Sequence, residues 1–138
     1  IDHSLSAIKH AQEIFHADSS IVLEVGDLQF LDQLNLKQYD LIISINTLHS
    51  PHLNGQKIVR TLFKEHLKPN GSIILGFPQS RYQDFHLNFG LRTAIAHTVD
   101  MHKVFKGIYY YQRYFQQHQC KVELIGKYTV LLIAQKLK

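Results

Sequence analysis

The chain has 138 residues, 45% of them hydrophobic, enough for one compact core and too few for two ordinary domains, so residues 1–138 are read as a single domain. Fifteen Lys and Arg against eleven Asp and Glu leave a formal charge of +4 with no dense basic run, so nucleic acid is a permitted partner and not an indicated one. The lone Cys120 excludes an intramolecular disulfide, no apolar run approaches the roughly 20 residues of a membrane span, and the first residues lack the build of a secretory leader; a cytoplasmic protein without a membrane partner is expected.

Leu5, Ile8, Ala11, Ile14 and Phe15 fall on one helical face, with Ser4 or Asp2 placed to cap it, which predicts a first helix over about residues 4–16. The polar ADSS leads into IVLEV, a short strand ending at Gly26-Asp27, and Leu28 to Leu34 leaves room for one helical turn. YDLIISI is nearly all apolar, the pattern of a parallel strand buried on both faces, and Asp40 at its start reads as structural. Asn54 can cap a helix in which Ile58, Val59, Leu62, Phe63 and Leu67 keep helical spacing, and LKPNG ends it. SIILGF reads as the next buried strand.

Residues 78–100 show no period and read as a substrate-side loop or lid with one short helix. Asp100 can cap a further helix whose stripe of Met101, Val104, Phe105, Ile108, Tyr111 and Phe115 should be buried. KVELI and YTVLLIAQ around Gly126-Lys127 predict an antiparallel hairpin. Helices alternating with buried strands give an α/β fold: a mostly parallel sheet, helices on both faces, and an antiparallel hairpin at its end.

In open α/β sheets ligands bind beyond the carboxyl ends of the strands. Four such places are Ile1 to Ser4, Gly26 to Leu28, Asn46 to His49, and Phe77-Pro78 onward. A carboxylate such as Asp2 can accept hydrogen bonds from both hydroxyls of a ribose, or it can simply cap the helix behind it. Asp27 beside a glycine can read the amino edge of an adenine, or form a common turn. Ten histidines raise the question of a metal, but Pro51 separates His49 from His52 and no third ligand has a partner spacing, so no metal site is expected. Cys120 leads into a strand and reads as a core residue, and there is no G-x-S-x-G elbow or P-loop. Tyr109, Tyr110, Tyr111, Tyr114 and Phe115 could stack on bases; their core spacing favours packing, with Tyr109 or Tyr110 exposed.

Taken in order, IDHS, VGDLQFL, YDLIISINTLHS, LKPNGSIILGF and KVELIGKYTVLLIAQK resemble the class I S-adenosylmethionine-dependent methyltransferases. That family has an acidic residue after its second strand, Gly-Asp after its third, an apolar fourth strand opening with Asp, a Leu-Lys-Pro-Gly-Gly turn before its fifth, and a terminal antiparallel hairpin. The resemblance implies a Rossmann-like fold with strand order 3-2-1-4-5-7-6. It implies S-adenosylmethionine as cofactor, with Asp2 on the ribose hydroxyls, His3 packed on the adenine where an aliphatic residue is commoner, Asp27 on the adenine amino group, and the Gly26 and Leu28 backbone at the ring. Asn46, Thr47 and Leu48 would line the methionine end.

His49, Asp84 or His86 would be the base where the acceptor must lose a proton, and Tyr82 and Arg92 would select an unidentified methyl acceptor. The family's glycine-rich loop has no counterpart, since none of the seven glycines forms a G-x-G cluster. The resemblance therefore implies the C-terminal portion of a longer enzyme, with the first strand upstream of Ile1. Such a portion would bind cofactor weakly or not at all, and its open strand edges would favour self-association. Two further readings stand beside it. One is an NAD-dependent oxidoreductase, because an acid after the second strand also suits NAD; the other is a non-enzymatic interaction module of methyltransferase-like fold.

Overall fold

The computed structural model describes residues 1–48, 50, 52–78, 82–83, 86–87, 101–126 and 129–137. The chain forms two compact units, Ile1–Leu36 and Lys37–Lys138.

In the first unit, Ser4 Oγ accepts the Ala7 N–H at 3.3 Å and caps helix α1, Leu5–Ile14. Asp2 stands in front of it and takes the Ser4 N–H on Oδ1 at 2.7 Å, so of the two expected caps Ser4 is the one that caps the helix and Asp2 orients the residue that does. The helix stops short of residue 16, where the Phe15 N–H closes back on the Ala11 carbonyl. Of its apolar stripe only Ile8 is buried; Leu5, Ile14 and Phe15 remain exposed. IVLEV does not form the expected strand. It contributes one parallel bridge, Asp2 with Val25, made by the Asp2 N–H on the Glu24 carbonyl and the Gly26 N–H on the Asp2 carbonyl. Strand propensity without a longer partner yields a bridge and no ladder. The turn expected after it is present as a 3-10 segment, Leu28–Gln33, with Leu31 buried.

The second unit is built on a four-stranded sheet of β1 (Tyr39–Ile45), β2 (Leu67–Pro78), β5 (Cys120–Ile125) and β6 (Thr129–Lys136), in the order β1-β2-β6-β5. The β1–β2 pair is parallel; β2–β6 and β6–β5 are antiparallel. The fold is thus α/β with a mixed, open sheet. The expectation of a mostly parallel sheet is corrected here, because β6 returns between β2 and β5 and makes both of its pairings antiparallel. LKPNG does not precede the strand but bulges within it. Tyr39 pairs with Leu67 and Leu41 already with Ser72, and Asn70 takes up the excess chain at φ 61°. The bulge lets Lys68 reach Asp40 at 2.8 Å and hold its carboxyl below the usual carboxylate range, an ion pair at the surface at the opposite end of β1 from Asn46.

Two helices cover one face of this sheet. Asn54 Oδ1 accepts the Lys57 N–H and starts α2, Gly55–Thr61, which widens into a π-helical turn over Leu62–His66. Helix α3 spans Met101–Gln117. Ile58, Val59, Leu62 and Phe63 from the first, and Val104, Ile108, Tyr111, Tyr114 and Phe115 from the second, are buried with Ile73, Leu75 and Phe77 of β2 and Leu132 and Ala134 of β6. Tyr111 stacks on Phe77 with ring centroids 5.8 Å apart, and Phe63 meets Tyr114 and Phe115 edge-on. Phe105, expected in the stripe, is exposed: it lies one position off the line through Val104, Ile108, Tyr111 and Phe115.

Helices on both faces were expected. Among the described residues of this unit, no helix lies on the opposite face, where Ile43 pairs with Ile74, and Ile74 with Ile133, in one apolar row. Hence β1 is not buried on both sides: Leu41, Ile43 and Ile45 are exposed. The terminal hairpin forms as expected, with Gly126 at φ 122°; a Cβ there would lie 1.9 Å from the Thr129 carbonyl oxygen, so glycine is required. Within the lid region a two-residue hairpin pairs β3 (Tyr82–Gln83) with β4 (His86–Leu87). The short helix expected there, Asp84, Arg92 and the capping Asp100 lie outside the described residues.

Candidate functional site

In the first unit the Asp2–Val25 bridge sets Asp2 beside Gly26, whose N–H reaches the Asp2 carbonyl at 3.0 Å, so the five residues expected at the adenosine end lie on two adjoining segments, Asp2-His3 and Gly26-Asp27-Leu28. Asp2, His3 and Asp27 are exposed, and Leu28 is half-buried. Each carboxylate also serves its own backbone, Asp2 through the Ser4 N–H and Asp27 through the Gln29 N–H at 2.9 Å. An ionised carboxylate has about four acceptor sites, so one N–H leaves most of that capacity for hydroxyl or amino donors. His3 Nδ1 stands 3.5 Å from Asp2 Oδ1 at the surface. Gly26 also has a duty in the packing of its own unit. A Cβ there would meet Leu34 Cδ2 at 2.6 Å and Ile1 Cγ2 at 3.1 Å, so its small size admits the chain's own side chains.

In the second unit, Asn46 leaves β1 in the left-handed region, φ 55°, with its N–H on the Gly76 carbonyl at 2.9 Å. Its side chain is exposed. Thr47 turns Oγ1 back to donate to the Ile45 carbonyl at 3.1 Å. Leu48 is buried, and a Cβ at Gly55 would lie 2.9 Å from its carbonyl oxygen, so the side chain belongs to the core and the carbonyl packs against Gly55. Of the expected bases, His49 and Asp84 lie outside the described residues, while His86 pairs with Gln83 in β4; Tyr82 pairs with Leu87 in β3. Among the described residues no three His, Cys, Asp or Glu converge as metal ligands would. Cys120 is buried at the start of β5, and burial pushes its thiol up, away from thiolate chemistry.

A second cluster joins the tyrosine run of α3, whose spacing favours packing, to a cation of α2. Arg60 of α2 donates from Nε to Tyr110 Oη of α3 at 2.6 Å, and its guanidinium lies 5.5 Å from the Tyr110 ring centroid and 5.9 Å from that of Tyr114. Arg113 lies 5.8 Å from the ring centroid of Tyr109, which is 61% exposed. These side chains line an open groove of about 320 Å³. Two signals are present in the sequence: the tyrosine run itself, and the spacing of Lys57, Arg60 and Lys64, which puts three cations on one helical face. Nothing in the sequence brought Arg60 to Tyr110.

Comparison with protein-family models and with curated proteins finds no match to this chain.

Proposed function

We propose that the chain carries part of a Rossmann-like class I S-adenosylmethionine-dependent methyltransferase and methylates an as yet unidentified acceptor in the cytoplasm. The observation that carries this reading is the strand order β1-β2-β6-β5. It matches the 4-5-7-6 side of the order implied by the resemblance, with the antiparallel strand in the right place. The parallel bridge that sets Asp2 beside Gly26-Asp27 supports it from the first unit.

In this reading Asp2 holds the ribose hydroxyls and His3 packs against the adenine. Asp27 accepts from its amino group, the Gly26 and Leu28 backbone meets the ring edge, and Asn46, Thr47 and the Leu48 backbone serve the methionine end. A sulfonium methyl is already activated, so the protein's part is to align the acceptor and exclude water. His49, Asp84 or His86 takes a proton from the acceptor where one must leave, and Tyr82 and Arg92 choose it. Without a glycine-rich loop among these residues, affinity for the cofactor is weak.

Chemical-shift mapping suits weak binding. Millimolar S-adenosylhomocysteine is expected to move the amides of Asp2, Gly26 to Leu28 and Asn46 to Leu48, and NAD to move none of them. A response to NAD alone, or none to S-adenosylhomocysteine, overturns the proposal. A second reading, a non-enzymatic interaction module, draws on Gly26 and Leu48, both of which are committed to the chain's own packing.

A further inference from the structure

We propose that the outer face of α2 and α3 is a docking surface for single-stranded nucleic acid. The inference rests on the cation–tyrosine groove and is independent of the methyl-transfer reading. Three observations carry it. The first is charge. Along α2, its π-helical turn and α3, Lys57, Arg60, Lys64, Lys106 and Arg113 are exposed, and Glu65 is the one acidic residue in those segments. A chain whose basic excess looked evenly spread therefore gathers much of it on one surface, and an anionic partner is the complement.

The second is the ring surface. Tyr109 presents an exposed ring with Arg113 over it, and Tyr110 and Tyr114 are stacked on each other under Arg60. Aromatic faces interleaved with guanidinium groups bind successive bases by stacking while the cations follow the phosphates. A duplex hides its base faces, and an acidic peptide offers none to stack, so a single strand uses the whole surface. The third is preorganisation. The Arg60–Tyr110 hydrogen bond fixes the guanidinium plane over the rings, so little side-chain freedom remains to be lost on binding. Tyr114, whose buried hydroxyl has no partner among the described residues, forms the floor.

The test is fluorescence anisotropy of a labelled oligouridine against the full chain, at several salt concentrations. Binding is expected at low salt, weakening with a log–log slope of about −3 if four phosphates are neutralised. Tyr109→Ala removes one exposed stacking platform and is expected to weaken binding between about fivefold and a hundredfold. Because that ring is largely in solvent, the variant keeps the fold, which circular dichroism verifies. Arg113→Glu should weaken binding at least as much, and the charge-matched Lys9→Glu in the first unit less than twofold. The proposal is overturned by absence of binding at low salt, or by an unchanged affinity in Tyr109→Ala. It is equally overturned if Lys9→Glu is as damaging as Arg113→Glu, or if a duplex or polyglutamate competes as well as the single strand.

Discussion

The two units of this chain hold their shape by different means. In Ile1–Leu36 the buried large apolar side chains are Ile8 and Leu31, whereas strand β2 alone buries Ile73, Leu75 and Phe77 almost completely. The first unit leans instead on short-range polar contacts: Asp2 to Ser4, Ser4 to Ala7, Asp18 to Ser20 and Asp27 to Gln29, each spanning two or three residues. Such contacts fix local geometry at about 1 kcal/mol apiece and add little cooperativity. The second unit joins residues far apart in sequence through a packed interior, where volume and shape decide stability.

The contrast can be broken most sharply at Leu75. Truncation to Ala leaves a cavity in the fully buried sheet face and is expected to cost about 2–5 kcal/mol in urea unfolding. Ile14→Ala on the exposed side of α1 should stay within about 0.5 kcal/mol. Equal losses at the two sites would remove the contrast.

A pH titration probes the same interior from another direction. Burial pushes the Tyr111 hydroxyl up to about 12, so above pH 10 the unfolded chain gives up this proton while the folded chain keeps it. Stability should be unaffected by this group below pH 10 and then fall by about 1.4 kcal/mol per pH unit until about pH 12. Tyr111→Phe should reduce that slope, the Tyr114 hydroxyl, which burial also pushes up, supplying what is left; an unchanged slope would assign it to other groups.

The smallest effect belongs to the first unit. Ser4→Ala should cost about 1 kcal/mol and appear as faster amide exchange along Leu5–Ile14. Protection of Ile73 to Phe77 should be unchanged. Loss of protection in both places would contradict the division drawn above.

What could be read from the sequence follows the range of the forces involved. Ser4 and Asn54 were legible as caps because the N–H each accepts lies three residues away. The glycine at the hairpin and the burial of Val104, Ile108, Tyr111 and Phe115 along α3 were legible for the same reason; Phe105 was not, and the side chain of Met101 lies outside the described residues. The failures are failures of partnership. IVLEV has the composition of a strand yet finds one bridge, and YDLIISI has that of a buried strand yet shows Leu41, Ile43 and Ile45 to solvent. Composition reports what a segment could bury and cannot report what lies opposite it.

The candidate site divides along the same line. Asp2 and Asp27 are picked out by their neighbours in sequence, and the bonds each makes to its own backbone, Asp2 to Ser4 and Asp27 to Gln29, are of the short range that the local pattern also offers. That Leu48 would turn into the core was not, because the side chains around it come from distant elements. The Arg60–Tyr110 contact joins residues that no short pattern links.

The place of β6 has a consequence for how the sheet is made. It is hydrogen-bonded on one side to β2 and on the other to β5, yet it follows both in the chain. A ribosome therefore delivers the parallel β1–β2 pair well before the strand that seals its inner edge. The local β5–β6 hairpin can close quickly, whereas docking it onto β2 must span the whole of α3 and the segment before it. Until that late event, Ile73, Leu75 and Phe77 lack one flank, and the interval is when this protein is most exposed to mispairing with other nascent chains.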